Sequence, residues 1–480
     1  MRKLPYTLAA LGSVALAGCV SPAPKKAYAD VEKTTGERLP ATARLDVERG
    51  ELAVKERTST LLTQGPLTAD KAVELALLNN PSLGEGAQEI AVARAELAQG
   101  GTLENPRLHY GIRSGGGQTG YELSAMMNFM DLAVLPLRRK LASGRYEQVR
   151  LRISHDVLTL TTEVKAAFYA AQAAQQRAAL RKTAYESFEA ASELLDRQRK
   201  AGNINALDHA REKAAGERAG VELARAEAEA EQSHERLSAL MGVQDMAPWS
   251  PDETESALPA GNPSLSKLEE TALRQRWDLD AARREPAILK QALSINRLGL
   301  FGAVAVGVDA EKGIGEPRGI GPAIEFSLPL FDIQRNTSAR LKAEMRRSAF
   351  TVAALENQVR LEVRLARSSL VAAHKSAERY RTALIPLSRR VAAETLKQYN
   401  FMLVGVYDVL RARREEFDAR REYVNAVRDY WTAWSELERA LGGKMPSELA
   451  ALPSVPDGTL KVGPDETPEP EAEPSHEHHH

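Results

Sequence analysis

The 480-residue sequence predicts a mainly α-helical chain that carries four membrane-length β-strands and is built from two tandem structural repeats. The repeat is read from matching landmarks. Asn205-Ala206-Leu207-Asp208, followed by a long charged segment ending at Leu240-Met241-Gly242, is answered by Val406-Tyr407-Asp408-Val409 and a second such segment ending at Leu441-Gly442-Gly443. Asp208 and Asp408 stand 200 residues apart, as do Gly242 and Gly442. A repeat this long holds strands and helices together, so it marks a duplicated unit and not a short-period solenoid. The strands come from two stretches of period two, and the helices from seams of period 3.5.

The chain opens with Arg2 and Lys3, an apolar run from Leu8 to Ala17, and Leu16-Ala17-Gly18-Cys19, the form of a secretory signal with a small-residue cleavage site. The single cysteine excludes an internal disulfide. The organisation expected is a signal peptide over 1–18 and an extended, Pro-containing tether over 19–65. The first repeat follows over 66–243, a linker over 244–265, the second repeat over 266–443, and an acidic tail over 444–480. Basic and acidic residues number 64 and 65, leaving a formal net charge of −1 and no basic field for nucleic acid. Aromatics at 5% against 27% charged residues suit long solvated helices with small-residue seams. No run after the signal approaches the roughly 18–20 apolar residues of a spanning helix, so a membrane crossing has to use strands.

Thr68 caps a helix whose apolar face is Ala72, Leu75, Ala76 and Leu78, and Asn79-Asn80-Pro81 closes it. A second helix is expected from Leu83 to Gln99, before Gly100-Gly101. Leu108, Tyr110 and Ile112 then alternate with His109, Gly111 and Arg113. After Ser114-Gly115-Gly116-Gly117, residues Tyr121, Leu123, Ala125, Met127 and Phe129 share a face, which reads as a β-hairpin. A second hairpin is expected from Phe301 to Asp309 and Pro322 to Phe331, across a glycine-rich loop. Each strand approaches the roughly 9–11 residues of a tilted crossing. Four strands cannot close a barrel, and an open edge in lipid leaves backbone groups unpaired, so a spanning form is oligomeric. The alternative is a soluble sheet packed on helices.

The rest reads as helix. Ile153, Val157, Leu160, Val164, Ala167, Ala171, Ala174 and Ala178 alternate spacings of four and three, a coiled-coil seam that narrows to alanine. After Asp408, Leu410, Phe417, Val424 and Trp431 form one seven-residue series, and Val427, Trp434 and Leu441 another. Two seams imply a partner on each side, as in a wall of helices. Pro386 is expected to kink the outgoing helix of the second repeat. Asp208 and Asp408 fall in first helical turns, where a carboxylate complements the helix dipole. His476, His478, His479 and His480 beside Glu477 form a candidate Zn or Cu site, against the alternatives of a disordered tail or a tag remnant.

Together, Leu16-Ala17-Gly18-Cys19, Pro66-Leu67-Thr68 with Ala72-Val73-Glu74-Leu75-Ala76-Leu77 and Asn79-Asn80-Pro81, Leu328-Pro329-Leu330-Phe331-Asp332, and Tyr407-Asp408-Val409-Leu410 resemble the TolC-like outer-membrane efflux factors, over about Leu67 to Gly443. The resemblance implies a homotrimer with a twelve-strand barrel, four strands per chain, above a long α-helical periplasmic tube. Members conduct passively, taking cargo from an inner-membrane pump through a periplasmic adaptor, and some export heavy-metal ions. They need no cofactor, and this chain holds no nucleophile motif or phosphate loop of an enzyme. Cys19 corresponds to the lipidated cysteine that anchors such lipoproteins in outer-membrane lipid. The tips containing Gly202, Asn203, Val404 and Gly405 correspond to the adaptor-docking ends. Asp408 corresponds to the aspartate of the tip constriction, with Asp208 its counterpart. Arg211 and Arg411 stand where some members have further acids, which implies a gate of alternating charges paired between helices. The competing reading is a lipid-anchored periplasmic coiled-coil scaffold or adaptor without a pore.

Overall fold

The structure is a computed structural model that describes residues 24–39, 50–244, 248–252, 258, 267–298, 304–314, 317–327 and 334–445. Cys19, the terminal histidines and the expected strand end at Leu328–Phe331 lie outside these residues. In chain order the elements are α1 (Pro24–Gly36), α2 (Glu51–Thr63), α3 (Ala69–Asn79), α4 (Pro81–Gly100), β1 (Arg107–Gly115), β2 (Gln118–Asn128), α5 (Met130–Lys200) and α6 (Ala206–Met241). The second half holds α7 (Leu268–Gln275), α8 (Trp277–Leu298), β3 (Val304–Lys312), β4 (Gly319–Phe326), α9 (Arg335–Arg379), a π turn (Tyr380–Leu384), α10 (Ile385–Asn400) and α11 (Val406–Ala440).

The tether is not extended where it is described. α1 buries Ala27, Val31 and Thr35, positions four apart that form one helical stripe. Asp30 accepts a hydrogen bond from the Tyr146 hydroxyl at 2.6 Å. The chain then delivers Arg38 to two helix ends. Its guanidinium donates to the carbonyls of Gln275 at 2.8 Å and Gly442 at 2.7 Å, and lies 3.9 Å from the Trp277 ring centroid. Composition gave no hint of this, because Pro22, Pro24 and Pro40 mask a 13-residue helix.

The four strands form one antiparallel sheet in the order β1-β2-β3-β4, so the two repeats meet at β2–β3. Its register sorts side chains into two faces. One carries Leu108, Tyr110, Ile112, Leu123, Met127, Val306, Val308, Ile320, Ile324 and Phe326, all exposed. The other carries Arg107, His109, Arg113, Glu122, Ser124, Met126, Asp309, Glu311 and Glu325, with small residues among them. A sheet packed on helices would bury its apolar face; this one leaves it bare, with β1 and β4 unpaired at the edges.

α5 runs unbroken for 71 residues through Pro136, about 105 Å at 1.5 Å per residue. Pro136, at its seventh position, removes one intrahelical hydrogen bond, to the Leu132 carbonyl, without ending the helix. The two seams of α11 find two partners, as expected. Val424 packs with Ala173 and Leu180 of α5, and Trp431 stacks on Tyr169 at 5.4 Å between centroids. Val427 and Leu441 join a core with Val359, Val363 and Leu370 of α9.

Pro386 does interrupt its helix, by a π turn and not a sharp kink. This turn explains an offset in the repeat. Val359, Val363, Ala366, Leu370, Ala373 and Ala377 repeat Leu160, Val164, Ala167, Ala171, Ala174 and Ala178 at a separation of 199, whereas the tips repeat at 200. A π turn holds one extra residue per insertion, so it restores the seam after the extra residue and frees the backbone ahead of the proline.

Candidate functional site at the helix tips

Both long helical pairs turn through the same three hydrogen bonds. Ala201, Gly202 and Asn203 donate to the carbonyls of Arg197, Arg199 and Gln198; Phe401, Met402 and Leu403 donate to Lys397, Tyr399 and Gln398. The turn needs a left-handed residue, and Gly202 takes φ 77° while Met402 takes φ 59°. A side chain there costs about 1–2 kcal/mol. Met402 is also 93% exposed, between exposed Phe401 and Leu403, so nothing within the chain compensates the strain. Met402→Gly is expected to raise the local stability of this tip by about 0.5–1 kcal/mol, read as slower hydrogen exchange at Leu403; faster exchange refutes the strain.

The two helix starts are capped differently, by the Asn205 side chain in the first repeat and by the Asp408 carboxylate in the second. Asp208 receives Asn205 Nδ2 at 2.6 Å on its carboxylate, while its amide donates to Asn205 Oδ1 at 2.8 Å. The Asp408 carboxylate accepts the Gly405 amide at 3.2 Å. At Asp408 a carboxylate closes the helix start at the end of the hairpin, whereas at Asp208 the carboxylate holds the side chain of the residue that does, Asn205. Among the described residues of one chain, Asp208, Arg211, Asp408 and Arg411 form no ion pair between helices. Arg211 reaches Asp208 of its own helix at 3.4 Å, and Arg411 is exposed without an ion pair among the described residues. Three residues separate the pair, one helical turn, so the contact is local.

Between the repeats at this level, Tyr407 of α11 lies within electrostatic reach of Asp208 and Glu212 of α6. Burial raises its hydroxyl above the ordinary tyrosine range, and the Asp208 and Glu212 carboxylates add to the shift. Its oxygen is enclosed with no hydrogen-bond partner among the described residues. Below the tip, Glu416 is buried and held by three cations: Arg420 at 2.6 Å, Arg413 at 3.0 Å, and Arg389 of α10 at 3.9 Å. Gly202, Asn203, Val404 and Gly405 lie on the turns themselves, where the sequence placed them. No group of three or more His, Cys, Asp or Glu residues among those described is placed to hold a metal ion.

A profile of the outer membrane efflux protein family matches residues 72–243. The cobalt-zinc-cadmium resistance protein CzcC of Cupriavidus metallidurans is 24% identical over 385 residues, 79% of this chain and 90% of that protein. Among solved structures, the Campylobacter jejuni CmeC outer membrane channel superposes with a TM-score of 0.68 at 16% identity, covering 78% of this chain and 85% of that one. A CusC structure reaches 0.64 at 17% identity, with coverages of 78% and 92%. The outer-membrane channel OprN reaches 0.63 at 22% identity, with coverages of 86% and 95%.

Proposed function

We propose, from the chain's membership of the outer membrane efflux protein family, that it is the outer-membrane channel of a tripartite efflux system. The channel passively conducts cargo received from an inner-membrane pump and a periplasmic adaptor. The observation that carries this reading is the sheet. An exposed apolar face, a polar opposite face and two unpaired edges are what a third of a closed barrel presents. Three copies contribute twelve strands, and the long helices continue the wall into the periplasm. Cys19, lipidated, anchors each copy in outer-membrane lipid. The tips carrying Gly202, Asn203, Val404 and Gly405 meet the adaptor, and Asp208, Arg211, Asp408 and Arg411 surround the constriction, where an ion pair between copies is available to Arg411, which has none among the described residues of one.

The test is stoichiometry and conductance of the full chain reconstituted in planar bilayers. Trimers with discrete conductance support the reading; a monomer without conductance leaves the scaffold in its place.

The face opposite the apolar one lines the lumen, and it bears on cargo. Glu122 and Glu311 stand directly opposite in register, with Asp309 and Ser124 in the next row. Like charges placed so are destabilising by up to about 1 kcal/mol, and Arg113 reaches Glu122 only at 3.8 Å. Glu122, Asp309, Glu311 and Glu325 outnumber Arg107 and Arg113 on this face, so it stays net negative and concentrates cations. Divalent metal ions of the kind named for the Cupriavidus relative are therefore the first cargo to assay. Glu122→Gln with Glu311→Gln is expected to move the reversal potential in a salt gradient toward zero. An unchanged potential excludes this face from ion selection.

A further inference from the structure

The repeat predicts a contact that one chain does not contain. α5 of the first repeat packs on α11 of the second. The corresponding contact, α9 of the second repeat on α6 of the first, is not formed as a packed interface within the chain. α6 accordingly buries only Leu237, Ser238 and Met241 of its 36 residues.

The contact that is made has two charged nodes. Arg177 of α5 donates to Glu229 of α6 at 2.6 Å and to Asn425 of α11 at 3.0 Å. One turn on, Arg181 reaches Glu222 of α6 at 2.6 Å and Asp418 of α11 at 4.0 Å. At the separation of 199 that holds above the π turn, Arg177 and Arg181 correspond to Ser376 and Tyr380. At the separation of 200 that holds between α6 and α11, Glu229 and Glu222 correspond to Asp429 and Glu422, while Asn425 and Asp418 correspond to Arg225 and Arg218. Both cations are missing from the outgoing helix and present instead on the returning helix of the other repeat.

The vacated space is real. A groove of about 780 Å³ between α9 and α11 is lined by Ser376, Tyr380, Glu422, Asn425 and Asp429, among others. Of its carboxylates, Glu422 and Asp429 have same-helix partners only, Arg421 on Glu422 at 2.9 Å and Arg428 on Asp429 at 2.7 Å. Arg218 and Arg225 are exposed. Arg218 bonds a backbone carbonyl of its own helix, and neither meets a carboxylate among the described residues.

We propose that α6 of one copy packs along α9 of the next, its Arg218 and Arg225 entering this groove beside Tyr380 and Ser376 to pair with Glu422 and Asp429. The occupant is a second copy of this chain, because the complementary pattern is the chain's own repeat. The contact is heterologous, the kind that generates a ring when the rotation between successive copies closes. The inference rests on the homo-oligomeric reading above and adds to it the face and the pairing.

The test is a cysteine pair, Arg225→Cys with Ser376→Cys, in the full chain purified in detergent. Interchain disulfide products up to the trimer are expected at ten times or more the yield of Arg211→Cys with Ser376→Cys. That control places the thiols about 20 Å out of step along the helix. Reversing the groove, Glu422→Arg with Asp429→Arg, is expected to abolish the trimer, and adding Arg218→Glu with Arg225→Glu to restore it. A wild-type trimer that forms no 225–376 disulfide and survives the groove reversal overturns the pairing while leaving the channel reading intact. A wild-type monomer overturns both.

Discussion

Glu416→Ala is expected to open the second-repeat tip about 100-fold more often than in the wild type. This is seen as that acceleration of hydrogen exchange in α10 and the first turns of α11, with little change in the α5–α6 tip. The carboxylate is buried, and its three guanidinium neighbours come from both helices of the pair. Removing one partner from a buried ionic cluster leaves uncompensated charge and costs about 3–5 kcal/mol. The lower end applies because Arg389 and Arg413 are partly exposed, so water already screens part of their charge. At about 1.4 kcal/mol per tenfold, 3 kcal/mol is roughly two orders of magnitude in the population of the open form. The first-repeat tip has no such cage: the position 200 residues earlier is Gly216. Exchange that accelerates equally in both tips sinks the idea that Glu416 locks one of them. Removing Arg420 together with Glu416 is expected to recover part of the loss, since two of the three cations then have room to separate.

The asymmetry between tips could be seen in the sequence, but its meaning could not. Phe401-Met402-Leu403 against Ala201-Gly202-Asn203 is plain in the alignment of the repeats; that Met402 sits where the turn requires φ above zero is not. Period and spacing carried most of the architecture: the seam from Ile153 to Ala178, the two series on α11, and both hairpins. Those patterns survive because each is repeated many times along one face. Single side chains that act at a distance left no periodic trace. Arg38 reaches carbonyls at Gln275 and Gly442, and Arg276 reaches Glu362, across separations that no local pattern encodes. The π turn had a trace, the change from 200 to 199 between the repeats, and Pro386 supplied its position. Asp208 and Asp408 stand in the first turns of the returning helices, as their sequence positions implied, yet the partner of Arg211 comes from its own helix, because a separation of three on a helix is a nearer solution than any neighbour.

Arg276→Met is expected to reverse the sign of the local pH dependence as well as weaken the junction of the two repeats. Arg276 is almost fully enclosed, its side chain 3% exposed, between Asp278 at 2.6 Å and Glu362 of α9. Burial alone would push both carboxyls up. The hydrogen bonds from Arg276 outweigh it, so Asp278 and Glu362 lie below their ordinary 3.8 and 4.5. A carboxyl depressed in the folded state stabilises it fully above its unfolded value and loses that contribution as pH falls toward the folded one. His155 of α5 adds to the same slope. Burial holds its imidazole below the ordinary 6.5 although Asp278 opposes the shift, so protonation opposes the folded state below that pH. The wild-type junction therefore weakens steadily with acid. Without the guanidinium, two buried carboxylates lose their main partner at a cost of about 3 kcal/mol near neutral pH. Burial then raises their pKa values above the unfolded ones. Folding takes up protons in that range, and the junction of the variant strengthens as pH falls from 7 toward 5. The readout is the opening free energy of the Leu279 and Asp280 amides, corrected for the intrinsic exchange rate, at pH 7 and pH 5. A variant that is weaker than the wild type at both values but slopes the same way would show that Arg276 acts through packing on its neighbours and not through their charge.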